Sequence, residues 1–157
     1  MAYVIDDDYS QLPPPPTRAE VEADLLDWER RLNELLDQIE RWAVARPDLR
    51  PLRGTVHRAE RKMGLVGITG TRALPNLILH QYDAAGQPTG AMVHIDPDAR
   101  WVIGTRGQIS IRTPKTIYTV ADGGKPMAPE WYCTSLGGLP PPRFTQDLLL
   151  KLLADAK

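Results

Sequence analysis

Between Thr17 and Trp42 the apolar residues Val21, Leu25, Trp28, Leu32, Leu35, Ile39 and Trp42 are separated by alternating gaps of four and three. That spacing places them on one stripe of an α-helix in heptad register. Thr17 is a suitable N-cap, and Glu20 three residues later completes a capping box. Pro47 stops the pattern, so it predicts a helix over 17–46, about 29 residues or roughly 43 Å long. Before it, residues 1–16 form an acidic arm that ends in Pro13-Pro14-Pro15-Pro16, which cannot enter a helix interior. After it, residues 47–64 are broken by Pro51 and Gly54 and read as a basic linker. Within the linker Thr55 can cap a short helix ending at Gly64.

From Leu65 the periodicity changes to short β-branched runs separated by Gly, Pro and Asp, which predicts an antiparallel sheet. Strands are expected near 65–69, 77–83, 91–96, 101–104, 108–113, 116–121 and 131–135. Thr145 then caps a last helix in which Leu148, Leu149, Leu152 and Leu153 share a face. The expected fold class is α+β: a long N-terminal amphipathic helix, a small antiparallel β-sheet and a short C-terminal helix. Residues 65–157 form the β module together with that last helix.

The heptad seam raises the question of what it lies against. With Leu25, Leu32 and Ile39 at a, a parallel homodimer would pair Asp24 with Glu29, Arg31 with Leu36, and Gln38 with Ala43. One pair is repulsive and none is attractive, and two Trp side chains sit at d, so parallel pairing is disfavoured. Leu36 and Ala43 widen the stripe, as in a helix that lies on a domain. A terminal helix of roughly 18 Å cannot cover a 43 Å seam. The sheet or an external partner must cover the remainder, and any uncovered portion would be an interaction patch.

Charge sharpens this picture. Residues 1–50 carry 6 basic and 12 acidic side chains, whereas residues 51–143 carry 11 basic and 6 acidic. The two parts either attract each other within one fold or address different partners. A single cysteine, Cys133, excludes an internal disulfide, and MAYVIDDDYS lacks the basic and apolar regions of a secretion signal. With no apolar run of membrane-spanning length, the expected location is cytoplasmic, as a bacterial-type protein with no membrane partner.

Candidate chemistry is sparse. The glycine-rich run Gly64-Leu65-Val66-Gly67-Ile68-Thr69-Gly70-Thr71 lacks the Lys-Ser/Thr ending of a phosphate loop and suits the entry to a strand. A hairpin centred on Gln87 would set His80 directly opposite His94, with Asp96 diagonal to His80. Two imidazoles and a carboxylate so placed have the donor types of a divalent metal site. Within that hairpin, YDAAGQPTG resembles one unit of the YD repeats of large bacterial surface and toxin shells. The resemblance covers nine residues and implies only a hairpin. Cys133 lies in the apolar run EWYCTS with no basic neighbour, which suits a buried structural thiol.

Arg46, Arg50, Arg53, Arg58, Arg61 and Lys62, with Arg100, Arg106 and Arg112 from the sheet, are the candidate nucleic-acid contacts. No recognised nucleic-acid-binding signature accompanies them. The leading expectation is a non-enzymatic protein-interaction or assembly protein without a cofactor, binding another protein or associating with itself in a non-parallel arrangement. Its expected contact residues are Tyr3, Ile5 and Tyr9 on the arm and Val21, Leu25, Trp28, Leu32 and Trp42 on the helix. The alternatives are a small nucleic-acid-binding regulator and a metal-dependent hydrolase using His80, His94 and Asp96.

Overall fold

A computed structural model describes residues 14–154. Helix α1 spans Arg18–Ala43, and the Thr17 hydroxyl accepts from the Glu20 backbone N–H at 3.2 Å, as a capping residue should. The strands are β1 (Leu49–Arg58), β2 (Arg72–Tyr82), β3 (Pro88–Ala99), β4 (Gln108–Arg112), β5 (Ile117–Asp122) and β6 (Trp131–Cys133). A one-turn helix α2 (Arg61–Leu65) separates β1 from β2, and α3 (Gln146–Leu153) ends the described chain. The six strands form one antiparallel sheet in sequence order, each paired with the next. The α+β architecture follows: one helix-covered sheet face, with the short C-terminal helix beside α1.

Alternation along the strands builds the core. Leu77, Leu79, Val93, Ile95, Ile109, Ile111, Val120 and Cys133 are all buried and join Trp28, Leu32, Leu36 and Ile39 of α1 in one apolar cluster. Leu149, Leu152 and Leu153 of α3 enter the same cluster, and Leu148 packs at its margin. At the other end of α1, Val21 and Leu25 pack with Met63 of α2, flanked by Val66, Ile68 and Trp101. The seam is therefore covered from within the chain from Val21 to Ile39, and Trp42 is partly covered. The expectation that Val21, Leu25, Trp28 and Leu32 face a partner is corrected: each is at most 2% exposed. The sheet and α2, not a second molecule, supply what α3 is too short to reach.

Several local expectations are also corrected. Residues 49–58 form an edge strand rather than a linker with a helix capped by Thr55. An edge strand tolerates Pro51, which has no N–H to donate. Gly54 is needed opposite Asn76, because a Cβ there would lie 2.9 Å from the Asn76 Oδ1. The expected strand at 65–69 is the end of α2 and a turn, with Gly67 and Gly70 at φ of 81° and 78°. Residues 101–104 turn as well, closed by the Thr105 N–H donating to the Val102 carbonyl at 3.0 Å. Helix α1 ends at Ala43, three residues before the expected limit of Arg46.

Candidate functional site

One stripe of α1, formed by Arg31, Glu34, Leu35, Gln38 and Trp42, lines a cleft of about 580 Å³. The opposite wall comprises Pro129, Trp131, Arg143, Phe144 and Thr145. Backbone pairing holds this second wall in place. Phe144 N–H donates to the Trp131 carbonyl at 2.8 Å, and Cys133 N–H donates to Pro142 at 2.9 Å. The approach to α3 thus runs beside β6, joined to it by an isolated antiparallel bridge between Tyr132 and Arg143. Trp42 then meets Phe144 edge-on, with ring centroids 5.6 Å apart, and Trp131 lies 6.2 Å from Trp28. The lining is thus mixed, with Leu35, Trp42, Pro129, Trp131 and Phe144 on its apolar side and Arg31, Glu34, Gln38, Arg143 and Thr145 on its polar side.

The buried polar group of the lining is Arg31, whose side chain is fully buried. Its Nε donates to Asp27 at 2.7 Å, and its Nη1 donates to Asp122 at 2.8 Å and to the Arg106 carbonyl at 2.9 Å. Asp122 is equally buried and accepts at its other oxygen from the Gly124 and Glu130 N–H groups, at 2.8 and 3.0 Å. The guanidinium also lies 5.0 Å from the Trp28 ring centroid. Its Nη2 has no hydrogen-bond partner among the described residues. Around Asp27, burial acts to raise the pKa, but hydrogen bonds from Arg30 and Arg31 and their charges outweigh it, leaving the pKa lowered. The guanidinium is thus fixed in place with one donor edge unused.

Gly107 is part of the same construction. It has a φ of 137°, and a Cβ there would come within 2.3 Å of the Trp28 ring. The indole therefore lies directly on the backbone that precedes β4.

Of the expected partner-binding residues on α1, Trp42 is the one that remains partly exposed and lines the cleft. Tyr3, Ile5 and Tyr9 lie outside the described residues. Sequence reasoning assigned Arg31 to a flanking heptad position and missed it as a buried group. Its only signal was the charge beside the seam at a position that widens the buried face. Arg143 and Phe144 were passed over as part of the proline-rich approach to the last helix.

The metal expectation does not fit the register. Ile78 pairs with His94 and His80 with Met92, two residues away from the expected alignment, and a bulge follows at Gln81. The five-residue turn, in which Asp83 accepts from both the Ala85 and Gln87 N–H groups at 2.9 Å, pairs Tyr82 with Pro88, and the bulge then shifts the pairing to His80 with Met92. A shift of two residues keeps each side chain on its expected face but leaves His80 diagonal to His94. Asp96 instead faces Ser110 across the β3–β4 pair and accepts from Asn76 Nδ2 at 3.0 Å. No group of three or more His, Cys, Asp or Glu among the described residues is arranged to hold a metal ion.

These residues belong to the sheet face that no described helix covers. Across it Leu52, Ile78, His94, Arg112 and Ile117 are successive cross-strand neighbours. Arg50 stands over the Tyr82 ring at 3.9 Å.

The other basic candidates are largely engaged within the chain. Arg46 pairs with Asp48 at 2.8 Å, Arg53 with Asp37 at 3.1 Å, Arg100 with Asp24 at 3.9 Å, and Arg106 with Asp27 at 3.7 Å. Arg58 donates to the Pro97 carbonyl at 2.9 Å, and Lys62 lies 5.4 Å from the Trp101 ring centroid. Arg61 borders a shallow hollow beside Trp101. The acidic helix and the basic sheet thus neutralise each other across their interface.

Cys133 is fully buried, with Ser135 Oγ 3.8 Å from its sulfur. Among the described residues no helix is long and apolar enough to cross a membrane. No protein-family model matches the chain, and neither curated proteins nor solved structures yield a match.

Proposed function

We propose that this chain is a non-enzymatic protein-interaction module that receives an apolar segment of a partner protein in the cleft between α1, β6 and the approach to α3. The observation that carries this reading is the grouping of Trp42, Trp131 and Phe144 along one cleft, with Arg143 also in its lining. Aromatic and arginine side chains at the centre of a concavity are the groups that dominate protein–protein binding energies. The lining also favours binding over chemistry. Thr145, its one hydroxyl side chain, is occupied as the α3 cap, accepting from Leu148 N–H at 3.2 Å. Such a module needs no cofactor. Because the heptad seam is consumed by the fold, any assembly would use the cleft rather than helix-to-helix pairing.

A displayed peptide library panned against the purified chain tests this, with the recovered peptides measured by calorimetry. Glu34→Trp places a bulky ring at the exposed rim of the cleft and should weaken recovered peptides at least tenfold while leaving the melting temperature nearly unchanged. Peptides that bind the variant as tightly as the wild type would place the interaction elsewhere and overturn the assignment.

A further inference from the structure

We infer that the hollow beside α2 is a docking site for this chain's own acidic arm, with Asp7 meeting Arg61 and Lys62 and with Ile5 and Tyr9 on Leu65 and Trp101. The hollow has a volume of about 400 Å³ and is lined by Glu60, Arg61, Lys62, Leu65 and Trp101. It lies at the N-terminal end of α1, away from Trp42 and the cleft, and does not depend on the cleft's role. Leu65 is 70% exposed and Trp101 is only partly buried, so apolar surface stands open beside two cations.

The fold leaves those two cations unmatched. Arg61 has no ion pair or hydrogen bond among the described residues, and the Lys62 ammonium has only the Trp101 ring, 5.4 Å away. The one carboxylate of the lining, Glu60, accepts from the Arg100 and Trp101 backbone N–H groups at 2.9 and 3.1 Å. Two cations against it leave the hollow net positive. The neighbouring arginines differ in this respect. Arg18 pairs with Glu22 at 2.9 Å, Arg72 with Glu29 at 2.9 Å and Arg100 with Asp24 at 3.9 Å.

The arm has the complementary chemistry and starts in the right place. MAYVIDDDYSQL carries three aspartates between apolar residues and contains no Lys or Arg. In an extended segment Ile5, Asp7 and Tyr9 fall on one side, which sets a carboxylate between two large apolar groups. Asp6 and Asp8 add to the field at the two cations. Asp7 is ten residues before Thr17, a span of up to roughly 30 Å. Val21, in the first turn of α1, packs in the same small cluster as Met63 and Trp101, and Arg18 Nη1 donates to the Gly67 carbonyl at 3.4 Å. The arm therefore joins α1 next to the hollow. So short a tether gives an effective concentration on the order of millimolar, at which contacts too weak for a free peptide suffice.

A nitroxide label on the full chain tests this. Ala2→Cys supplies one reactive thiol, since the native Cys133 is fully buried. Paramagnetic broadening should concentrate on the amides of residues 61–65 and on the Trp101 indole. Asp6→Asn, Asp7→Asn and Asp8→Asn together should reduce that broadening several-fold without touching the described structure, and high salt should do the same. Arg61→Glu with Lys62→Glu should also remove it. Adding Asp6→Lys, Asp7→Lys and Asp8→Lys to that pair should restore it, which a variant that had merely lost its fold could not do. Broadening spread evenly over the surface, or unchanged when the three aspartates are neutralised, would overturn the docking site. Mixing spin-labelled chain with isotope-enriched, unlabelled chain separates one molecule from two. Broadening in that mixture as strong as within one molecule would overturn the intramolecular assignment in favour of arms exchanged between copies.

Discussion

Arg31 and Asp122 are the residues at which charge and burial conflict most sharply. Two fully buried ions tolerate their desolvation because every oxygen of Asp122 is engaged and two of the three Arg31 nitrogens are. Replacing Asp122 with Ala would leave a buried guanidinium and two backbone N–H groups without their acceptor. The expected loss is about 3–5 kcal/mol in chemical denaturation, and Arg31→Met combined with Asp122→Leu should recover part of it. Losses that simply add in the double variant would show that the two groups are not coupled.

A milder case is Asp48, whose carboxyl is lowered from 3.8 to about 2, chiefly by the Arg46 hydrogen bond. A folded-state pKa below the unfolded value stabilises the protein above the unfolded pKa, and this contribution is lost as pH falls through the folded one. The stability difference between wild type and Asp48→Asn should therefore be constant near neutral pH and shrink from about pH 4 down to about 2. Denaturant titrations at a series of pH values would check this, and a difference that grows on acidification would contradict it.

Among the elements, α3 has an influence beyond its eight residues. Leu149 and Leu153 are fully buried against α1, and Arg46, in the connection after α1, donates to the Leu153 carbonyl at 3.0 Å. Helix α3 also carries the segment that presents Arg143, Phe144 and Thr145 to the cleft. Leu149→Ala should destabilise the protein by about 2–5 kcal/mol through lost burial and the cavity left behind. The same substitution should broaden the Phe144 and Trp131 resonances before global unfolding, because the second wall depends on α3 docking. A variant that loses stability while the cleft resonances stay sharp would show that the wall is held by β6 alone.

For the whole molecule, α1 is the common support. The sheet and α3 join it in one apolar cluster, while a smaller one binds its N-terminal turns to α2. Arg72–Glu29 at 2.9 Å and Arg53–Asp37 at 3.1 Å attach the acidic helix to the basic sheet. Ion pairs at such exposure contribute little individually, so the apolar cluster sets the cooperativity. Thermal unfolding followed by helical circular dichroism and by tryptophan fluorescence should give coincident transitions. Separate transitions would mean that α1 or α3 melts independently of the sheet.

The sequence alone determined α1, its Thr17 cap, the terminal helix and the alternation that buries Leu77, Leu79, Val93 and Ile95. These follow from local periodicity and capping chemistry, which a single segment encodes. The opposite charges of the two regions were also legible, though not that they meet each other. Strand β1 was hidden by Pro51 and Gly54, since an edge strand is defined by its neighbour β2 rather than by its own propensity. The hairpin register depended on the Asp83 turn together with the bulge between His80 and Tyr82, and a displacement of two residues leaves the alternation unchanged. Only tertiary structure decided that the seam is core, because coverage depends on what the sheet and α2 bring to it. It alone also brought Arg31 to Asp122, 91 residues away, and Trp42 to Phe144, since burial of a charge depends on distant partners that no local pattern records.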